Sequence, residues 1–164
     1  MSHTTHKDDK AGTTERRRHA RLPVVEGMIE PITVRFGSED GVSASSPGQP
    51  AILTNLSAGG MSLLMFLEPP HAKRLDMMLT IPGLEHVAIA GRVVRVHQKG
   101  PTYNVGISFT QISKKHQDQI SKMAEDLGDC KTRIALKLPE VCQRACTFHA
   151  LCVQPQKAPF WPKK

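Results

Sequence analysis

Six segments of the sequence alternate apolar and polar residues with a period of two, and this pattern constrains the fold more than any other feature. In the first of them Ile32, Val34 and Phe36 alternate with Thr33 and Arg35. Successive side chains of a strand point to opposite faces, so the pattern indicates strands with one buried face. With Gly, Pro or Asn turn signals between them, the predicted strands span about 32–36, 51–56, 61–66, 75–81, 86–97 and 103–109.

The arrangement that we expect for these strands is a small closed barrel, because closure leaves no strand edge unpaired. The apolar phase of the fifth strand changes from Val87 and Ile89 to Val94 and Val96. Since one extra residue reverses the phase, we expect a β-bulge near residues 91–92.

A helix is predicted after the last strand. Ser113 is suited to the N-cap, and Gly128 to the position that follows the helix end. The residues of its apolar stripe are Ile120, Met123, Ala124 and Leu127. The predicted fold is therefore all-β, a six-stranded barrel with a C-terminal α-helix and a short Cys-containing helical extension.

Three regions of different composition divide the chain. Residues 1–15 are polar and are expected to form a disordered tail, while residues 16–128 form the barrel domain with an Arg-rich arm and the trailing helix. Residues 129–164 form an extension that holds all four cysteines. Within the barrel domain, residues 37–50 are rich in Gly, Ser and Pro and are predicted to be a loop.

The net charge of +7 is concentrated at the two ends of the sequence. Residues 1–21 carry +3 and residues 129–164 carry +5, whereas residues 22–128 carry −1. A duplex-binding domain usually spreads basic charge over its folded body, so this distribution fits a compact anionic ligand better. A small barrel that binds nucleic acid through its basic ends stays an alternative, although aromatic residues for base stacking are scarce.

Several protein classes are disfavoured by what the sequence lacks. It has no run of 18 apolar residues and no secretory signal, so we expect a cytoplasmic protein whose cysteines are reduced or bound to metal. It has no GxSxG, P-loop or HExxH motif, so we expect a protein that is not an enzyme.

An Arg-rich arm precedes the first strand. Arg17 and Arg21 are separated by three residues, and Arg16 stands directly before them. A guanidinium group pairs bidentately with a phosphate or with the edge of guanine, and it also stacks on a base. Such an arm could fold around one anionic ligand, although an Arg run near a terminus is also typical of a solvated basic tail.

A second polar motif occupies the turn between the second and third predicted strands. Asn55 offers both donors and acceptors to a base edge, and Ser57 offers a hydroxyl. Gly59 and Gly60 permit positive φ and a close approach of the backbone to a ligand. The alternative is a tight hairpin turn in which Asn and Ser satisfy only the local backbone.

Together the two motifs resemble the signature of the PilZ domain family, RxxxR followed by [DN]xSxxG, over roughly residues 15–127. The resemblance implies that Arg17 and Arg21 clamp guanine and phosphate, and that Arg16 assists them. The residues that match the second motif, which contacts guanine from the barrel in this family, are Asn55, Ser57 and Gly60. The implied ligand is cyclic di-GMP, and no cofactor is required.

The family resemblance also implies how such a receptor acts. We expect the arm at 16–21 to be mobile without ligand and to fold over the barrel when cyclic di-GMP binds, which would change a surface for an unidentified downstream protein. The regulated process would be motility, exopolysaccharide synthesis or a similar output. Removing Arg17 or Arg21 should weaken binding more than removing Arg18, which the motif does not use.

The cysteines are left unexplained by the two motifs. Cys142 and Cys146 would share one face of a second short helix predicted at about 139–151, with Cys130 before it and Cys152 at its end. Four thiols could hold zinc or an iron–sulfur cluster, yet the spacing matches no standard pattern. Reduced cysteines packed as small hydrophobes, or a redox pair, are the alternatives. A metal- or redox-sensing interaction protein with the barrel as scaffold is accordingly the other function considered.

Overall fold

The chain forms seven β-strands, one α-helix and one 3₁₀ helix in a computed structural model that describes residues 18–23, 32–37, 47–69, 74–138 and 142–152. The predicted tail at 1–15 and most of the predicted loop at 37–50 lie outside these residues. The strands are β1 (Leu22–Pro23), β2 (Ile32–Gly37), β3 (Gly48–Ser57), β4 (Gly60–Met65), β5 (Arg74–Ile81), β6 (Leu84–Lys99) and β7 (Thr102–Gln111).

Six of the strands close into an antiparallel barrel. Their order is β3-β2-β5-β6-β7-β4, and β4 pairs back to β3. Each predicted strand is present, so the predicted fold class is confirmed. The predicted loop ends earlier than expected, because β3 starts at Gly48 and pairs with β2 across Arg35. β1 is a seventh, two-residue strand that pairs with β3 at Asn55 and Leu56, beyond the part of β3 that pairs with β2.

The hydrophobic core lies inside the barrel and consists of the apolar side chains that point inward from alternate positions of the strands. In β5 the alternation is strict, with buried residues at every second position. Since each inward side chain removes apolar surface from water, the period-two pattern is also the source of the barrel's stability. The large side chains that are fully buried in the strands include Leu22, Val34, Leu56, Leu63, Met65, Leu75, Leu79, Val87 and Val105.

Two irregularities interrupt the pairing of β6 with β7, and the bulge that changes the phase of β6 lies at Val94 and not at the predicted residues 91–92. Between Ala90 and Gly91 the register shifts by one residue, but the extra residue, Thr110, lies in β7 and leaves the phase of β6 unchanged. It shifts again between Val93 and Arg95, which leaves Val94 as an extra residue. Val94 is 58% exposed, because the β6–β7 hairpin extends beyond the barrel core. The late apolar phase of this strand therefore faces away from the core.

The helix α1 (Lys114–Ala135) packs against the barrel, and it begins where the sequence predicts. The Ser113 hydroxyl caps it by accepting a hydrogen bond from the His116 N–H at 3.3 Å. Ile120, Met123 and Ala124 are buried in the same core as the strands. The amphipathic stripe thus fixes α1 on the barrel.

The predicted helix end at Gly128 is wrong, because α1 continues for seven more residues. Glycine in a helix costs only about 1 kcal/mol relative to alanine, and helix residues after Gly128, among them Cys130 and Arg133, face the C-terminal segment at 142–152. The helix ends instead in a Schellman motif, with Lys137 at φ 55°. Lys137 N–H donates to the Ile134 carbonyl, and Leu138 N–H donates to the Arg133 carbonyl.

The second predicted helix, at 139–151, is also wrong over the residues that the structure describes. Residues 142–146 form a turn, and only Thr147–Leu151 is helical, as a 3₁₀ helix. Phe148 and Leu151 are buried against the core. None of the helices in the described part of the chain is long and apolar enough to span a bilayer.

Candidate functional site

The Arg-rich arm meets the barrel beside the turn that carries the second motif. β1 pairs with β3, so that Leu22 lies opposite Leu56 and Pro23 lies opposite Asn55. Leu22 is fully buried and therefore anchors the base of the arm in the core. Because Arg21 directly precedes this anchor, strand pairing brings together two motifs that are distant in sequence.

The turn between β3 and β4 is held by its own hydrogen bonds and by β7. Ser57 pairs with Gly60, and the Ser57 hydroxyl donates to the Gly60 carbonyl oxygen at 2.9 Å. The Phe109 N–H donates to the Gly59 carbonyl at 3.0 Å. The Ser57 hydroxyl thus uses its proton locally and keeps a lone pair that can accept from a ligand.

The two glycines of the turn serve close packing instead of an unusual backbone conformation. Positive φ, which we expected here, occurs at other described glycines and at neither of these. A Cβ at Gly60 would overlap the backbone carbonyl oxygen of Ile107 in β7. A Cβ at Gly59 would come within 2.7 Å of the ring of His19 in the arm. Gly60 therefore permits the barrel to close, and Gly59 permits the arm to lie on the turn.

A cleft of about 380 Å³ lies between the arm, the turn and the β6–β7 pair. This volume is within the range of about 300–1,000 Å³ that is typical of small-molecule sites. The charged side chains that line it are Arg18, Arg21 and Arg95, and no acidic residue of the described chain lines it. The cleft is therefore electropositive and suited to an anionic ligand.

Most of the predicted binding residues meet in this cleft. Arg16 and Arg17 lie outside the described residues. The other predicted binding residues all line the cleft, namely Arg21, Asn55, Ser57, Gly59 and Gly60.

Ten further cleft residues were missed by the sequence interpretation, and four of these lie in β6 or in the arm. The bulge at Val94 turns Val94 and Arg95 toward the cleft, next to Gly106. A Cβ on Gly106 would lie 3.4 Å from the Arg95 Cβ, so this glycine leaves room for the arginine. The other two, Arg18 and His19, lie between the motif arginines. The change of phase in β6 indicated a bulge, but not which other element it faces.

All four cysteines line a second, smaller cavity, of about 30 Å³, between α1 and the segment 142–152. Burial raises the pKa of the Cys130 thiol, and the neighbouring Cys152 and Cys146 raise it further, whereas Arg133 lowers it. In the described residues, no three His, Cys, Asp or Glu side chains are placed as ligands of one metal ion.

The C-terminal segment is attached to α1 through Asp126. The N–H and the hydroxyl of Thr147 donate to the Asp126 carboxylate at 2.6 Å and 2.7 Å, and Lys122 pairs with it at 2.9 Å. Burial would raise the pKa of Asp126, but the hydrogen bonds from Thr147 and Lys122 hold it below its ordinary value. The attachment is therefore complete above the ordinary carboxyl pKa and is lost as the pH falls through the lowered one.

Replacing Asp126 with alanine is expected to release the segment from α1. Two hydrogen bonds to a charged acceptor are lost, which corresponds to about 1.5–3 kcal/mol in local stability. Amide hydrogen exchange of residues 147–152, measured by mass spectrometry, should become about 10–100-fold faster. The matched control is Asp118→Ala, which removes an exposed ion pair to Lys114 on the same helix and should change little. Unchanged exchange in Asp126→Ala would contradict this account of the attachment.

Comparisons with known proteins agree with this fold. The family model of the PilZ domain matches residues 15–126. The Bacillus subtilis inhibitor of motility (MotI/DgrA) is similar in structure, with a TM-score of 0.51 and 16% identity over 81% of this chain and 57% of its own. The K. pneumonia MrkH–c-di-GMP complex gives a TM-score of 0.50 and 20% identity over 74% of this chain and 56% of its own.

These two solved structures share the fold at low sequence identity, and the chain covers little more than half of their length. No curated protein matches the sequence significantly. The family model, in contrast, spans more than half of the chain and includes the whole barrel, both motifs and most of α1. The chain belongs to the PilZ domain family.

Proposed function

We propose that this chain is a cyclic di-GMP receptor that binds its ligand in the cleft between the arm and the barrel. Membership of the PilZ family supports the proposal, and so does the similar fold of MrkH, which was solved as a complex with c-di-GMP. The observation that carries it is the pairing of β1 with β3, which sets Arg21 beside the Asn55 motif at the edge of an electropositive cleft.

The ligand's chemistry matches the groups that line the cleft. Cyclic di-GMP offers two phosphates and two guanines. The guanidinium groups of Arg21 and Arg18 can pair with phosphate or with the O6/N7 edge of guanine. Asn55 and Ser57, beside Arg21 on the barrel, supply uncharged donors and acceptors for a base edge.

The bulged part of β6 supplies the third wall. Arg95 adds a cation that is fixed to the barrel and not to the arm, and Val94 adds an exposed apolar surface next to it. A flat base packs favourably on such a surface and under a guanidinium plane. We propose that Arg95 holds the ligand from the barrel side while the arm closes over it.

Closure of the arm would carry the signal. Its base is fixed at Leu22, so ligand contacts can reorganise only the residues that precede this anchor. The ligand binds the closed conformation of the arm more tightly than the open one, and it therefore shifts the population toward the closed conformation. An unidentified partner protein would recognise the closed surface, and through it the receptor would regulate motility, exopolysaccharide synthesis or a similar process.

Replacing Arg95 with alanine tests the proposed site at a residue outside both sequence motifs. Loss of a charge-assisted contact of about 1.5–3 kcal/mol should weaken cyclic di-GMP binding about 10–100-fold in an equilibrium titration. The control is Arg92→Ala, which removes an exposed arginine of the same strand that does not line the cleft. Equal affinity of the two variants would place the ligand elsewhere.

A further inference from the structure

All four cysteines of the chain gather at one place outside the barrel. Cys130 lies on α1, whereas Cys142, Cys146 and Cys152 lie in the C-terminal segment. They line the same small cavity, and each is partly buried. Nothing in the proposed cyclic di-GMP site requires this arrangement, because that cleft lies between the arm, the β3–β4 turn and the β6–β7 pair.

The positions of Cys130, Cys146 and Cys152 are fixed by contacts of neighbouring residues. Thr147 is attached to Asp126 on α1, and Phe148 and Leu151 are buried in the core. Cys146 and Cys152 are the residues directly before and after this anchored 3₁₀ helix. The anchored helix therefore holds both of them against α1, on which Cys130 lies one turn after Asp126.

The cavity has the volume and the thiol content that an ion site needs, and in the described residues its ligand side chains are not yet gathered around one point. Its volume of about 30 Å³ suits a single small species and is far too small for an organic ligand. Thiolates are preferred ligands of soft and borderline metal ions such as zinc. Four thiolates around a divalent cation leave a net negative charge, which Arg133 offsets only in part, because Asp126 and Asp129 also line the cavity.

We propose that Cys130, Cys142, Cys146 and Cys152 bind one thiophilic metal ion, for which zinc is the probe, and that the ion clamps the C-terminal segment onto α1. As placed, the thiols surround the cavity without converging on one point, so binding turns the side chains inward. Each coordinating thiol releases its proton to solvent as its sulfur bonds to the ion. The clamp would join residues on both sides of the turn at 142–146.

The first test is metal binding by the full-length protein, purified under argon with a reductant that does not bind metal. Metal analysis by mass spectrometry, followed by titration of the stripped protein with Co²⁺ and then Zn²⁺, should give one equivalent. Bound Co²⁺ should show the intense visible absorption of tetrahedral thiolate coordination, and Zn²⁺ should displace it. Absence of stoichiometric binding of either ion would overturn the proposal, and so would an iron–sulfur cluster in the purified protein.

Cysteine variants test which sulfur atoms are the ligands. Cys130→Ser and Cys146→Ser should each weaken zinc binding by more than about 100-fold, since changes outside the coordination sphere typically cost about 10–100-fold. His149→Ala, which alters a cavity-lining residue outside the proposed set, should have a smaller effect. Unaltered zinc affinity in both cysteine variants would overturn the assignment.

Hydrogen exchange separates a clamp from a merely adventitious thiol site. Zinc should slow the exchange of residues 142–152 and leave the barrel strands unchanged, and a chelator should reverse the effect. The barrel's exchange also shows whether each variant is folded. Zinc binding without protection of the segment would overturn the clamp. The metal-binding and hydrogen-exchange measurements do not involve cyclic di-GMP, so their outcomes are independent of the proposed receptor function.

Discussion

Arg21→Ala is expected to abolish measurable binding of cyclic di-GMP at micromolar protein, while the barrel keeps its stability. Arg21 is the described residue that both matches the RxxxR motif and lines the cleft. Removing a guanidinium that pairs with an enclosed anionic group costs about 2–4 kcal/mol, or about 30–1,000-fold in Kd. Because Arg21 is exposed in the free protein, its removal should not change Tm.

Two arginine variants serve as references for Arg21→Ala. Arg35→Ala removes an exposed arginine of β2 that does not line the cleft, and it should bind normally. Arg18→Ala should show a smaller loss than Arg21→Ala, as the motif predicts, although Arg18 also lines the cleft. A larger loss for Arg18→Ala than for Arg21→Ala would show that Arg18, and not the motif residue Arg21, makes the main contact with the ligand.

Gly60→Ala is expected to destabilise the barrel by about 1–3 kcal/mol, the usual range for overpacking a rigid site. The added methyl group meets the backbone carbonyl of Ile107, which cannot rotate away, so β4 and β7 must separate. Thermal unfolding followed by circular dichroism should show a Tm lower by several degrees.

Gly59→Ala is the matched control, because the same methyl group then meets the His19 side chain, which can move. Its Tm should stay close to that of the wild type, whereas its affinity for cyclic di-GMP should fall because the arm is displaced. If Gly59→Ala lowers Tm as much as Gly60→Ala does, the division of roles between the two glycines is wrong.

The barrel could be predicted from the sequence because each strand records its own environment. In β5, Leu75, Met77, Leu79 and Ile81 are all buried, as their spacing indicates. Burial on one face of a strand is a local property, so a period of two suffices to find it. The cleft was partly predictable for another reason, since the two motifs identify their residues without any knowledge of strand pairing.

Features that depend on contacts between distant segments could not be predicted from the sequence. Gly128 is a common signal for a helix end, but α1 continues past it, and Cys130 and Arg133 of this continuation line the cavity against the segment 142–152. Cys142 and Cys146 do not share a helical face, because residues 142–146 form a turn. Arg95 was missed because its place in the cleft depends on a bulge and on the position of the arm.

The most direct test of the receptor proposal is a calorimetric titration of the wild-type protein with cyclic di-GMP at moderate salt, with GTP and cyclic di-AMP as controls. We predict saturable binding of cyclic di-GMP that neither control shows and that Arg21→Ala loses. Binding that is indifferent to the nucleotide and falls steeply with salt would instead indicate a nucleic-acid-binding barrel. No binding at high ligand concentration would contradict the proposal, and the barrel would then be a scaffold for the cysteine site.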